Sequence, residues 1–225
     1  MKSRESLIDA QEKAKQLFDL IEEKKIISAG KSEREINDEI LSLANNFLNV
    51  KKFWHKRIVR ANENTLHPYK ENPPNLIVQT NDIAFVDLGP VFEEWEADFG
   101  RTFVIGNDAK KIKLKNDIEH AWQKAVDYYF NSVNQTGAQY FDYIKNLATE
   151  YGWEYGGPYA GHLVGKFPHE KLIGEDLINY IHPENNEIMQ APDKNGDERF
   201  WILEIHFVDK TDKIGGFYEQ LLIQP

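Results

Sequence analysis

"VDLGPVFEEWEADFGRT" (residues 86–102) has the composition of a protein core, yet each of its two apolar arms carries an acid, Asp87 and Asp98. Side chains alternate faces along a strand, so Ile83, Phe85 and Asp87 share one face. On the returning arm Asp98, Gly100, Thr102 and Val104 share one. Pairing about Phe92 and Glu93 sets Asp87 opposite Asp98, with Cβ atoms roughly 4.5–5.5 Å apart. Carboxylates so placed repel, and burying either without a partner is costly. An arginine, a shared proton or a metal cation would compensate; a bulge turning one acid to solvent is the plainer alternative. Arg101 points to the opposite face by the same alternation and is a poor partner.

The pattern recurs further along the chain. In "FWILEIHFV" (200–208) Glu204 interrupts an apolar strand, with His206 on the same face. In "GFYEQLLI" (216–223) Glu219 interrupts another. Carboxylates with a histidine added suit hard or borderline divalent metals such as Mn, Fe, Co or Zn. Four acids exceed what one ion needs; bridging two ions, roughly 3.5–4 Å apart, would use them. "GHLVGKFPHE" (161–170) offers His162 and His169 as the histidine. His55, His120 and His182 read as surface residues.

The rest of the chain sets bounds. Its 225 residues, 41% hydrophobic, can bury one substantial core. A net charge of −10 argues against general binding to nucleic acid or to an anionic membrane surface. Without cysteine there is neither disulfide nor thiol nucleophile, and any metal must be held by O and N ligands. The charged, amphipathic N-terminus and the lack of a long apolar run make a cytoplasmic protein the expectation. Helical spacing covers 3–25, and Gly30 ends that segment. "SERE" (32–35) is a capping box opening a second helix through Ile36, Ile40, Leu41 and Ala44 to about Phe47. A strand is expected near 52–60, a loop over 67–75, and strands over 83–89 and 97–105. Helices follow at 111–133 and 137–151, a loop at 184–197, and strands at 199–208 and 216–223. Helices followed by a strand pair thus occur twice.

The ordered acids and histidine resemble the metal site of the family of methionine aminopeptidases, aminopeptidase P, prolidase and creatinase. That family's ligands run Asp, Asp eleven residues on, His, Glu, Glu, which fall here on Asp87, Asp98, His162, Glu204 and Glu219. Its "GHGIGxxxHE" motif is similar to "GHLVGKFPHE", and its "DxGRT" signature stands at Asp98–Thr102. The resemblance covers about residues 30–225. It implies an α+β pita-bread fold: a pseudo-two-fold antiparallel sheet with helices on its outer face. Residues 1–225 would form one catalytic domain, residues 1–50 being helices packed on it, without the amino-terminal domain of the prolidases and creatinases.

The resemblance also implies the chemistry. Two divalent ions (Mn, Co, Fe or Zn) would share a water and polarise a carbonyl, with Asp98 and Glu219 bridging. Glu204 would take a proton from the water. His169 would stabilise the oxyanion, and His67, in "NTLHPY", would contact the leaving nitrogen or the substrate carbonyl. Two departures bear on specificity: Leu163 and Val164 flank the ligand histidine, and "HEKL" places Lys171 where the family has an acid. They imply a tighter, partly cationic mouth favouring a short or acidic substrate, unless Leu163 and Val164 point into the core and Lys171 lies in solvent. Phe53, Trp54 and Tyr69 are either pocket or core. The expected function is a metallo-aminopeptidase or dipeptidase of small peptides, working as monomer or homodimer. The alternatives are a non-peptidase enzyme on a small carboxylate-bearing molecule, as creatinase is, and a binding module on a dead scaffold.

Overall fold

Apolar positions recurring every three or four residues drive the amphipathic helices, and period-two alternation drives the strands. The computed structural model describes residues 2–67, 69–168 and 176–224. In chain order it contains α1 (Lys2–Glu23), α2 (Glu33–Leu48), β1 (Lys52–Phe53), β2 (Ile58–Ala61), β3 (Ile83–Leu88), β4 (Pro90–Phe92), β5 (Trp95–Glu96) and β6 (Phe99–Val104). The second half contains α3 (Ala109–Asn131), α4 (Gly137–Tyr151), β7 (Glu154–Tyr155), β8 (Gly161–Val164), β9 (Phe200–Asp209) and β10 (Ile214–Leu221). Ser32 and Glu35 close the capping box that starts α2, and Thr136 with Gln139 closes another at α4. The buried face of α2 uses Leu43 rather than Leu41. The segment expected as one strand near 52–60 is two, β1 and β2.

An antiparallel sheet runs in the order β2-β3-β6-β10-β9-β7, with β8 also pairing β9; β1, β4 and β5 form a smaller sheet. Helices cover one face in two groups. Ala84, Val86, Leu88, Phe99 and neighbours pack with α1 and α2, while Leu203, Ile205 and Phe207 pack with α3 and α4. The opposite face carries Ile58, Phe85, Phe217 and the acids. Among the described residues no helix is long and apolar enough to cross a membrane.

Two buried charges tie the 58–76 segment to the scaffold. The Glu33 carboxylate, in the first turn of α2, accepts from Ala61 N (2.7 Å), Leu76 N (3.1 Å) and Asn64 Nδ2 (3.0 Å). Arg60 donates to the carbonyls of His67 (3.0 Å) and Glu71 (2.8 Å). Glu33→Ala leaves two buried donors, Ala61 N and Asn64 Nδ2, and the half-buried Leu76 N without their charged acceptor. We expect it to cost about 3 kcal/mol, read as a shift in denaturation midpoint at unchanged slope. A shift below about 0.5 kcal/mol would show that water replaces the carboxylate there.

Candidate metal centre

One transverse row across four strands organises the site. Asp87 lies opposite Gly100, Gly100 opposite Glu219, and Glu219 opposite Glu204. Directly opposite residues project from the same face, so three acids from β3, β10 and β9 converge beside one glycine. The expectation that Asp87 faces Asp98 is therefore corrected. The turn is centred between Glu93 and Glu94, Glu93 taking the left-handed conformation (φ 56°), and the register is two residues longer in sum. Asp98 comes just before β6, on the same side as Gly100. Gly100 is needed where it is: a Cβ there would stand 2.6 Å from the Phe217 ring and 3.1 Å from Glu219 Cβ.

Asp98 sits between two histidines. Its Oδ2 is 3.1 Å from His162 Nε2, and its Oδ1 is 3.1 Å from His55 Nε2. His162 is carried by β8, opposite Ile202, two residues from Glu204 on β9. His55 Nε2 is also 3.5 Å from Asp87 Oδ1. The reading of His55 as a surface residue is thus overturned: its side chain is 3% exposed. It is drawn in because Trp54 N donates to Gly89 O (2.8 Å) and Trp54 Nε1 to Ala97 O (3.0 Å), docking this segment on the Gly89 turn. A Cβ at Gly89 would run into both the His55 ring and the Trp54 indole. His120 is exposed and His182 partly so.

Electrostatics follow from the crowding. Burial lifts Asp87 and Glu204 to about 7 each, and burial plus the neighbouring carboxylates lifts Glu219 well above the usual range. Asp98 goes the other way, to about 2: burial raises it, but His55 and His162 outweigh burial. Burial lowers His55, yet the charges of Asp87 and Asp98 raise it to about 9. Asp87 Oδ1 and Glu219 Oε2 are buried and accept no hydrogen bond. Ligand atoms of His55, Asp87 and Asp98 lie within 4.8 Å of one another, as do those of Asp98, His162 and Glu219. Orphaned carboxylate oxygens next to imidazole nitrogens fit a divalent cation, which would relieve the repulsion that the protein alone leaves in place.

Other residues singled out in the sequence lie elsewhere. The His67 side chain is 42% exposed and bonds Glu71 through Nδ1, away from Asp98. His169 and Lys171 fall outside the described residues. Val164 is buried among Leu7, Ile202 and Leu221, and Leu163 packs against the core of the second half; Val164 therefore does not narrow the site as the sequence suggested. Phe53 packs with the first-half core. Trp54 lies edge-on to both His55 and His162. A cavity of about 260 Å³ opens beside the row, walled by Tyr69, Phe85, Tyr159, Glu204, His206 and Phe217. His206 Nε2 donates to Thr65 O (2.8 Å), so that nitrogen is already engaged.

The family model described as metallopeptidase family M24 matches residues 5–193. The chain belongs to family M24. Glu204 and Glu219 lie past the matched span and join the centre through β9 and β10. Over 95 residues this M24 chain is 30% identical to a Xaa-Pro dipeptidase from Pyrococcus horikoshii, covering 41% of the chain and 26% of that relative. Its fold is similar to the prolidase from Pyrococcus horikoshii OT3 (TM-score 0.74, 20% identity, 98% of this chain and 58% of that one). It is also similar to the X-Pro aminopeptidase from Thermotoga maritima MSB8 (TM-score 0.75, 18% identity, 100% and 62%). The M24 chain thus spans about a quarter of the curated relative and about three fifths of these two structures. Its mixed antiparallel sheet with outer helices is the pita-bread fold of M24 prolidases.

A ligand that binds only the native state stabilises it by about 2.7 kcal/mol at a hundred times its Kd. For a domain of this size each kcal/mol moves the melting temperature by about 2–4 °C. Exhaustive chelation should therefore lower the melting temperature by about 5–10 °C, restored by Mn or Co in differential scanning calorimetry. Identical melting curves with chelator and with metal would reject the metal centre.

Proposed function

We propose that this M24 chain is a dinuclear, metal-dependent aminopeptidase or dipeptidase that removes the N-terminal residue of small peptides. The observation that carries the reading is the Asp87–Gly100–Glu219–Glu204 row with Asp98 and His162 closing over it. Asp87, Asp98, His162, Glu204 and Glu219 would hold two divalent ions, drawn from Mn, Co, Fe or Zn. Bound there, such ions would supply Lewis acidity to a peptide carbonyl and would lower the pKa of the attacking water.

This chain's own residues do the rest. Glu204 borders both the row and the cavity, so its carboxylate can take the proton from the attacking water. His169 would donate to the developing oxyanion. His67, on the segment between the cavity residues Leu66 and Tyr69, would reach the leaving nitrogen once its ring turns from Glu71. Arg60 fixes the backbone of that segment. The aromatic walls exclude water and receive the substrate side chains, and a cavity near the small end of ligand sites favours a dipeptide over a long chain. Relatives named Xaa-Pro dipeptidase and X-Pro aminopeptidase support proline as the second residue.

The test is a panel of Xaa-Pro dipeptides, longer Xaa-Pro peptides and aminoacyl chromogenic substrates, each assayed with Mn, Co, Fe and Zn. Metal-dependent release of the first residue is expected, fastest on the shortest peptides. No turnover with any metal, on protein shown to hold two ions, would reject a peptidase. His169→Ala should keep the ions and lose turnover by roughly two to three orders of magnitude, if it acts as an oxyanion donor. Parallel loss of metal and turnover would instead make it a support for His162.

A further inference from the structure

We propose that His55 is a sixth metal ligand of this centre, completing the Asp87–Asp98 side as His162 completes the other. The inference rests on the metal-centre reading above and on geometry that the two histidines share. In His162, Nδ1 meets the Leu163 carbonyl at 2.8 Å and Nε2 meets Asp98 Oδ2 at 3.1 Å. In His55, Nδ1 meets the Lys56 carbonyl at 2.7 Å and Nε2 meets Asp98 Oδ1 at 3.1 Å. A carbonyl can only accept, so Nδ1 carries a proton in both rings. Nε2 is then the nitrogen that presents a lone pair to a cation. Metal-bound histidines are oriented in this way, by donating their other N–H to a backbone carbonyl or carboxylate.

The spacing also fits. Ligand atoms about 2.1 Å from one ion, separated by 90–110°, stand about 3.0–3.4 Å apart. His55 Nε2 lies 3.1 Å from Asp98 Oδ1 and 3.5 Å from Asp87 Oδ1, close to the edges of such a polyhedron. Asp87 Oδ1 has no hydrogen-bond partner and faces the same point. The ring is held there by Trp54, whose plane stands edge-on to both imidazoles, and by the absence of a side chain at Gly89. The result is one nitrogen ligand on each side of Asp98. An added imidazole favours Co, Fe or Zn over Mn on the Asp87 side.

The experiment replaces the ions with cobalt(II) to saturation and records the paramagnetic proton spectrum. Each imidazole bound through Nε2 contributes one strongly shifted, solvent-exchangeable Nδ1–H resonance. Two are expected in the wild-type chain, one lost in His55→Gln and the other in His162→Gln. Equilibrium dialysis with metal counting should show His55→Gln binding one of its two ions on the order of 100-fold more weakly. Gly89→Ala, which keeps every ligand but crowds the His55 ring, should lose the same resonance, and it serves if His55→Gln fails to fold. A single shifted resonance in wild type, untouched in His55→Gln and Gly89→Ala, would show that His55 only pairs with Asp98 and would overturn the inference. A wild-type chain that takes up no cobalt would overturn the metal-centre reading itself, a distinct result.

Discussion

Asp98→Ala should abolish both metal binding and turnover while His67→Ala leaves metal content intact. Among the described residues Asp98 is the one acid whose two oxygens are each within 3.1 Å of a different histidine, and it belongs to both groups of candidate ligands. Removing it takes a ligand from each side at once. Metal ions contribute several kcal/mol to transition-state stabilisation, and each 1.36 kcal/mol is tenfold in rate. A loss of at least roughly a thousandfold in kcat/KM is expected, with both ions missing by elemental analysis on the same preparation. Two retained ions in a folded Asp98→Ala chain would show that the centre is built without it.

Gly100→Val should also damage the centre while replacing no ligand. The position lies between Asp87 and Glu219 in the row. A Cβ alone would stand 2.6 Å from a Phe217 ring that is 6% exposed and packed on Phe85 and Ile58. Either the ring is pushed into the cavity it walls or β6 moves from β10 and carries Asp98 away from Glu219. Overpacking of this kind costs about 1–3 kcal/mol. The denaturation midpoint should fall accordingly, and metal affinity should fall with it. A valine variant with wild-type stability and wild-type metal content would mean that the row tolerates widening, and the geometric account of Gly100 would be wrong.

The acids were legible because alternation is a strong local signal: a carboxylate in an apolar strand violates it, and four such violations stand out. His162 was legible through the glycines around it, and α1 to α4 through helical spacing and caps. The register was not. It depended on a tight turn at Glu93–Glu94 and a break at Gly89, which shifted the partner of Asp87 from Asp98 to Gly100. His55 was missed for a related reason. His55 stands beside Lys56 and Arg57 in the stretch expected as a strand and so reads as a surface residue; only long-range bonds from Trp54 to Gly89 and Ala97 bring the ring inward. No periodicity within the segment encodes that docking. The misplaced weight on Val164 has the same origin, since its side chain faces a cluster that includes Leu7, far away in sequence.

The seam between β6 and β10 gives the centre a mechanical meaning. On one side of it lies the core built on α1 and α2; on the other lies the core built on α3 and α4. Register pairing across it is confined to Glu219 and Gly100, and much of the bonding comes from side chains: Thr102 Oγ1 with Phe217 N and O, and Arg101 with the Glu219 carbonyl. Asp87 and Asp98 come from the first half, His162, Glu204 and Glu219 from the second. The centre is therefore a clasp drawn across the midline of the molecule. Bare, the four acids would strain the joint between the halves; with the proposed cations between them they would draw it together, so the joint between the two cores is the one that a bound metal would tighten.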